Sequence, residues 1–369
     1  MEVFMKNVSF STIYENKKPL LRASNSAFPF LCELPDGRIL AAHQMGQAFE
    51  SVDGATFISE SSDGGKSWSE PRRAFTPTER PTSECAKITR IPDGRLVALG
   101  YRFFRDDPEL ALGNPETGGL LDDEIFFSIS EDQGKTWGVP KAINCAWGNH
   151  AEASAPITVL QDGSWATPIC GFSNWEGKAV GRNCGRLLRT YDGGKTWNDD
   201  AICVEFPGDN VSCFEQRMCQ MENGTIAVIS WNEDFVTGEL YNNHVTFSHD
   251  GGKTFSAPVD TGIKGQAASI LALDGTRVLT LHSLRRDTDR PGVYACIADL
   301  SDDKFTILEK EIVWEPDTPI VRSKHAANIF AFLKFGQPGA IRLSDGGVLM
   351  SHWYYEDGMY KTGATRIVL

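Results

Sequence analysis

The chain has 369 residues, of which 41% are hydrophobic and 35 are glycine; this is ordinary globular composition, able to bury a sizeable core, and it excludes wholesale disorder. With 36 Lys and Arg against 49 Asp and Glu the net charge is −13, and no local basic patch offsets it, so no nucleic acid partner is expected. No apolar run approaches the ~18 residues of a membrane span, and the N-terminal segment lacks the basic start and apolar stretch of a secretory leader. That start reads as cytoplasmic with no membrane contact, and a removed leader with a re-added Met would give the same N-terminus.

Along the chain the first predicted element is the alternating run KNVSFSTIY at residues 6–14. An apolar-x-Asp-Gly turn follows at Asp36 in LPDGRILAA. It returns at Asp93 (IPDGRLVAL), Asp162 (LQDGSWATP), Asn223 (MENGTIAVI), Asp274 (LALDGTRVL) and Asp345 (RLSDGGVLM). Asp-Gly or Asn-Gly between apolar alternating runs is the strongest short-range hairpin signal, since the turn needs positive φ at both central residues. A second series lies between these turns: SSDGGKSW from Ser61, SEDQGKTW from Ser130, TYDGGKTW from Thr190 and SHDGGKTF from Ser248. Their aspartates, Asp63, Asp132, Asp192 and Asp250, stand 69, 60 and 58 residues apart.

A unit of about 60 residues with one hairpin and one later Asp box fits a four-stranded antiparallel blade. Six such units make an all-β, six-bladed β-propeller, a single domain over residues 1–369. The sixth unit, GVLMSHWYYEDGMYKTGATRIVL, stops three strands in and has no box. Residues 6–14 are expected to supply its missing strand and to close the ring without an open edge.

The nine cysteines are odd in number and show neither a CxxC pair nor a His-Cys spacing suited to zinc. Several, such as Cys170 and Cys296, fall in apolar stretches where a reduced thiol acts as a small hydrophobe. No nucleotide loop or metal constellation is present, so neither cofactor nor metal is expected.

The four boxes and the six-fold hairpin count resemble the sialidase (neuraminidase) superfamily of six-bladed propellers, whose members are mostly carbohydrate-active. The resemblance implies a carbohydrate substrate and places the boxes away from the substrate face. The box aspartates read as local: a short carboxylate accepts nearby backbone N–H bonds, Gly supplies the strained φ, and the Trp or Phe covers apolar surface. The substrate face is then expected at the opposite strand ends. Inner-strand starts there carry Ser24, Asn25, Glu84, His150, Glu152, Glu215, Arg217, Gln266 and Gln337, and the loops after each second strand are rich in His, Trp, Tyr, Arg and acid. Such residues suit a sugar-binding funnel, and the substrate-binding candidates are His43, Glu84, Arg102, His150, Trp231, Arg285, Arg286, Arg290, His352, Tyr354 and Tyr355.

The resemblance also implies roles for particular residues. The family's acid/base precedes the first box, where Asp53 stands. Its activating glutamate falls at Glu215, and a carboxylate near the end of blade six falls at Glu356. The family grips a substrate carboxylate with three arginines and attacks with a tyrosine. Here Ala27 stands where the first arginine would be, Trp231 near the second, and Gln337 in place of the tyrosine; only Arg285, Arg286 and Arg290 are candidates for the third. Losing two of three bidentate partners forfeits several kcal/mol, at ~1.5–3 per charge-assisted bond. The expectation is therefore a sialidase-like exo-acting glycoside hydrolase for another terminal sugar, an acidic one being left open by the arginine cluster. Two alternatives stand: a polysaccharide lyase or uronate-active enzyme using His43, His150, His282 or His352 as base with Tyr354, Tyr355 or Arg102, and a non-catalytic glycan-binding propeller.

Overall fold

The computed structural model describes residues 5–208, 210–235, 237–286, 288–317 and 333–369. Its first strand, β1 (Lys6–Tyr14), leaves its sequence neighbours and pairs with the last strand of the chain. The first sheet is β2 (Asn25–Glu33), β3 (Ile39–Gly46), β4 (Ala55–Ser61) and β5 (Arg72–Arg73); the second is β6 (Thr82–Arg90), β7 (Leu96–Phe104), β8 (Asp123–Ser130) and β9 (Lys141–Ile143). In the third the inner strand is split into β10 (Ala151–Glu152) and β11 (Thr158–Val159), followed by β12 (Trp165–Gly171), β13 (Gly185–Thr190) and β14 (Ile202–Val204). The fourth holds β15 (Phe214–Gln220), β16 (Ile226–Trp231), β17 (His244–Ser248) and β18 (Val259–Asp260). The fifth holds β19 (Ala268–Ala272), β20 (Arg277–Leu284), β21 (Gly292–Asp299) and β22 (Thr306–Trp314). The sixth holds β23 (Phe335–Arg342), β24 (Val348–Glu356) and β25 (Met359–Val368), with β1 outermost. This is the six-bladed propeller read from the repeat, with the N-terminal strand closing the last blade.

Both faces of each blade are buried, which explains the apolar runs of the second strands. Neighbouring residues on one strand point to opposite faces and join different cores. Leu96 and Ala98 pack with Leu40 and Ile58 between the first two blades, whereas Val97 and Leu99 pack with Trp165 and Ile169 between the second and third. Equivalent clusters fill the remaining four gaps around the ring, the last joining Leu349 and Ala364 to Leu31 and Ile39. All nine cysteines are free thiols and seven are buried.

The first hairpin differs in detail from its expectation. Positive φ is found at Gly37 alone, not at both central residues, and Leu34 N–H bonds Arg38 O across three intervening residues. This is a type I turn closed by a left-handed glycine, the next commonest hairpin connection.

The four box turns connect the third and fourth strands of blades one to four. In the first, Asp63 Oδ1 accepts Lys66 N–H and Ser67 N–H at 2.9 Å and Ser61 Oγ–H at 2.8 Å, while Oδ2 accepts Ser67 Oγ–H at 2.5 Å. Asp192 and Asp250 repeat the set. These bonds replace ladder bonds, so the outer strands of these blades run only two or three residues, against nine for β22 and β1.

Candidate active site

Antiparallel connectivity puts the Asp-Gly hairpins and the box turns at one end of the ring and the loops after the second strands at the other. At that second end three inner strands carry one extra residue over their partners. The pairing steps from Ala27 with Gln44 to Phe30 with Ala42, from Phe214 with Trp231 to Arg217 with Ile229, and from Gly336 with Trp353 to Gly339 with Ser351. These are β-bulges, which re-aim a side chain at the expense of the ladder. Each holds a non-glycine residue in the left-handed region: Phe28 at φ 55°, Glu215 at 45° and Gln337 at 43°. Such backbone costs about 1–3 kcal/mol and clusters where function demands it.

Two of the three re-aimed side chains meet. Gln337 Nε2 donates to Glu215 Oε1, and Trp231 Nε1 donates to Glu215 Oε2 at 2.7 Å. Behind them, Glu215 N–H donates to Glu152 Oε2 at 3.0 Å, and the buried Glu152 also accepts from Ser154 Oγ and, at 3.1 Å, from Cys170 Sγ. Arg217, equally buried, donates to Ser154 Oγ at 3.0 Å. Burial, reinforced by the Glu215 charge, pushes the Glu152 carboxyl above the ordinary carboxylate range, and burial pushes Arg217 down.

A cleft of about 180 Å³ opens beside this pair and reaches Gln337. Phe28, Tyr101, Phe103 and Phe172 form its apolar side; Gln44, Ser83, Ser154 and Gln337 are neutral polar groups, and Glu50, Glu84 and Lys87 its ionisable ones. Tyr101 and Phe172 stand 5.9 Å apart and Phe103 lies 6.0 Å from Phe172, so the rings make one continuous wall. Lys87 Nζ donates to Phe28 O at 2.5 Å, and burial pushes its pKa down. Glu84 accepts Thr56 N–H at 3.0 Å and Thr56 Oγ–H at 2.8 Å, tying blade two to blade one. Glu50 has an open surface but sits in a concave mouth where protein displaces much of its solvent, and this desolvation raises its pKa.

Of the residues singled out in the sequence, Glu84, Glu152, Glu215, Arg217, Trp231 and Gln337 lie at this site. Arg285 is close by and buried, donating to Phe335 O at 2.6 Å with its guanidinium over Trp353; burial pushes it down to about 10 while the Glu215 charge opposes the shift. Asp53 is exposed and accepts Gln47 N–H at 3.0 Å, whereas Glu50 and Ser51 of the same loop line the cleft.

The other candidates stand elsewhere. The second strands run past the residues expected in their following loops, β3 to Gly46, β7 to Phe104, β20 to Leu284 and β24 to Glu356, which carries several candidates into the blades. His43 is fully buried between Ser26 Oγ at 2.8 Å and Ser59 Oγ at 3.1 Å. His282 bonds Asn243 and Thr280, and His352 packs against Trp314 and Phe10. Burial pushes all three imidazoles down to about 3, so none is a base facing a substrate. Tyr354 is buried beside His352 with its hydroxyl on Thr12. Arg102 alternates to the face opposite Tyr101 and pairs with Glu124 at 2.5 Å. Arg286 pairs with Glu233, and the exposed Arg290 grips Glu315 through two 2.7 Å bonds, so the arginine cluster does not converge. Tyr355 lies under Lys334, Glu356 bonds Lys361 at 2.7 Å, and His150 lies 3.7 Å from Asp122; none of the three lines the cleft.

Among the residues that sequence reading missed as contributors are Glu50, Lys87 and Tyr101, with Ser83, Phe103, Ser154 and Phe172 of the same lining. A usable signal existed for the bulges: Pro29 and Pro338 follow Phe28 and Gln337, and proline inside a strand marks an edge or a bulge.

No protein-family model matches the sequence. An anhydrosialidase from Macrobdella decora is 28% identical over 219 residues, which is 58% of this chain and 24% of that protein, so the match spans about a quarter of the relative's length. Among solved structures, a protein of unknown function from Dyadobacter fermentans superposes with a TM-score of 0.77 at 18% identity, covering 99% of both chains. The intramolecular trans-sialidase from Ruminococcus gnavus, in complex with oseltamivir carboxylate, gives 0.66 at 12% identity over 94% of this chain and 95% of that one. Hadza microbial sialidase Hz136 gives 0.65 at 14% identity over 92% and 65%. These likenesses show the fold, a six-bladed propeller shared with solved sialidases.

Proposed function

We propose that this sialidase-superfamily propeller is an exo-acting glycoside hydrolase in which Glu215 is the catalytic base. The observation that carries the reading is the strained bulge at Glu215, whose two carboxylate oxygens are each held by an N–H donor from a different strand. That arrangement fixes the carboxylate's direction, the first requirement of general base catalysis. The residue bonded to it, Gln337, carries a neutral amide and no nucleophilic oxygen, so the attacking group is water. Glu215 takes a proton from that water as its oxygen bonds to the anomeric carbon. The bond from that carbon to the leaving oxygen breaks, and the leaving oxygen takes a proton from an acid in the mouth.

The loop from Gln47 to Asp53 supplies that acid. Asp53 is the residue the family resemblance favours, and Glu50 is the one that lines the cleft with a pKa raised in the direction a proton donor needs. Direct attack by water inverts the anomeric centre. The lyase reading loses three of its four candidate histidines to the blade interiors, while a purely binding propeller is favoured by the amide at Gln337 and becomes one outcome of the test. A screen of aryl glycosides of neutral sugars, uronic acids and sialic acid, read by released chromophore and by ultraviolet absorbance, is expected to give chromophore without an unsaturated product. Proton NMR of the first-formed sugar then reads the anomer. Absorbance at the unsaturated product, or no turnover of any glycoside, would overturn the reading.

A further inference from the structure

The groups lining the cleft lead beyond the reaction type, to the kind of sugar it takes. We infer that the cleft is a subsite for a neutral sugar, with the Gln337 carbonyl oxygen receiving a substrate hydroxyl and the Tyr101, Phe103 and Phe172 wall receiving an apolar sugar face. The inference deepens the hydrolase reading and uses the same site.

The first observation is an unmet acceptor. Gln337 is 9% exposed and lines the cleft. Its Nε2 is committed to Glu215, since only the NH₂ end can donate to a carboxylate, and this leaves Oε1 buried with no partner among the described residues. A buried carbonyl oxygen without a donor is costly and marks a place where an incoming O–H belongs. Ser83 and Ser154, also in the lining, add hydroxyls that both donate and accept, matching the dual character of sugar hydroxyls.

The second observation is the charge around it. Glu50 and Glu84 line the cleft and the Glu215 carboxylate stands beside it; among the described lining residues the one cationic side chain is Lys87, which spends donors on Phe28 O and Cys85 Sγ, and burial disfavours its charge as it does those of Glu50 and Glu84. No arginine is among the described lining residues: Arg285 donates to Phe335 O, Arg217 to Ser154 Oγ and Gln216 O, and the buried Arg105 to Leu110 O, while Arg286 pairs with Glu233 and Arg102 with Glu124. A carboxylate-bearing sugar entering here would bring its charge into a desolvated cleft beside the Glu215 carboxylate, with no arginine in the described lining, whereas a neutral sugar meets an aromatic wall and hydroxyl partners.

The test reads binding, not turnover. Methyl glycosides of the common neutral hexoses and pentoses, of glucuronic acid and of sialic acid are titrated against the full chain by ligand-observed NMR at pH 7. At least one neutral glycoside is expected to bind about tenfold or more tightly than either acidic one. Gln337→Leu, checked by circular dichroism for retained fold, is expected to weaken the neutral ligand roughly tenfold, the loss of one buried hydrogen bond plus its orphaned partner. Glu50→Lys, an exposed substitution that leaves the fold in place, is expected to narrow the gap by strengthening the glucuronide. Tighter binding of either acidic glycoside, absence of binding by every neutral one, or a folded Gln337→Leu with unchanged affinities would overturn the inference. Neutral binding without turnover of the matching aryl glycoside would support the inference while sinking the hydrolase reading, and turnover confined to acidic glycosides would do the reverse.

Discussion

The two ends of the propeller treat carboxylates in opposite ways. At the box end the aspartates, exposed at 63, 192 and 250 and half-buried at 132, are saturated by hydrogen bonds from their own turns, which holds Asp132 and Asp192 down to about 2 and pushes Asp63 and Asp250 below the usual carboxylate range. At the cleft end Glu84 and Glu152 are buried and Glu50 is crowded, and desolvation pushes all three up. Repetition in sequence therefore marks the carboxylates that hold hairpins closed, while the carboxylates proposed for chemistry occur once each and are distinguished by strain and desolvation.

The contrast is broken most directly at Glu215. Glu215→Gln is expected to cut turnover by roughly 10²–10⁴ while leaving the melting temperature nearly unchanged, because the amide keeps the shape of the site. Retained activity would remove the cleft's claim to be the reaction centre. Glu50→Gln is expected to follow with a loss of about 10² and, more tellingly, with a changed pH profile of kcat/KM. A proton donor works below its own pKa, so wild-type activity falls as pH rises through the raised value, and the variant loses that descending limb. Asp53→Asn measured alongside decides between the two acids of the loop. Trp231→Phe removes one donor to Glu215 and is expected to lower kcat about tenfold with KM little changed, as a positioning residue should.

At the box end the expected effects move stability and leave the chemistry alone. Asp132→Ala is expected to cost about 1–2 kcal/mol, as for other lost side-chain caps, with kcat unchanged at low temperature. Its pH dependence has a definite sign. A carboxyl lowered from 3.8 to about 2 in the folded state contributes stability that is present above pH 4 and lost as pH falls through 2. Thermal melts of wild type and variant should therefore converge on acidification. The raised carboxyls at the cleft act with the other sign, favouring the folded state at low pH and opposing it as pH rises past 4.5.

How much of this was legible depends on whether a signal repeats. The six hairpins, the four boxes and the alternating run at residues 6–14 are each local patterns that one strand pair or one turn dictates, and the ring followed from counting them. Glu215, Trp231 and Arg285 were placed near one another by resemblance to a family whose site they only partly match. The bulges were not foreseen, since nothing in Phe28, Glu215 or Gln337 favours positive φ; only the prolines after two of them gave a hint. The histidines failed for a related reason. His43, His282 and His352 looked like loop residues because the apolar run ended before them, yet each strand continues and buries its imidazole among hydroxyl, amide or aromatic neighbours.

The pairing of β1 with β25 sets Lys6 opposite Val368 and Tyr14 opposite Thr362. A pull applied between Lys6 and Val368 would therefore act across the ladder and not along it, breaking its bonds one pair after another, as a zipper opens. Force would meet deeper fastenings first at Asn7, whose Nδ2 donates to Val313 O at 2.9 Å, and then at Ser11, whose hydroxyl donates to Gly65 O at 2.6 Å and accepts from Trp68 Nε1 at 3.1 Å. The closing strand is thus tied by side chains to the blades on both sides of it, the fifth and the first, and not by its ladder alone.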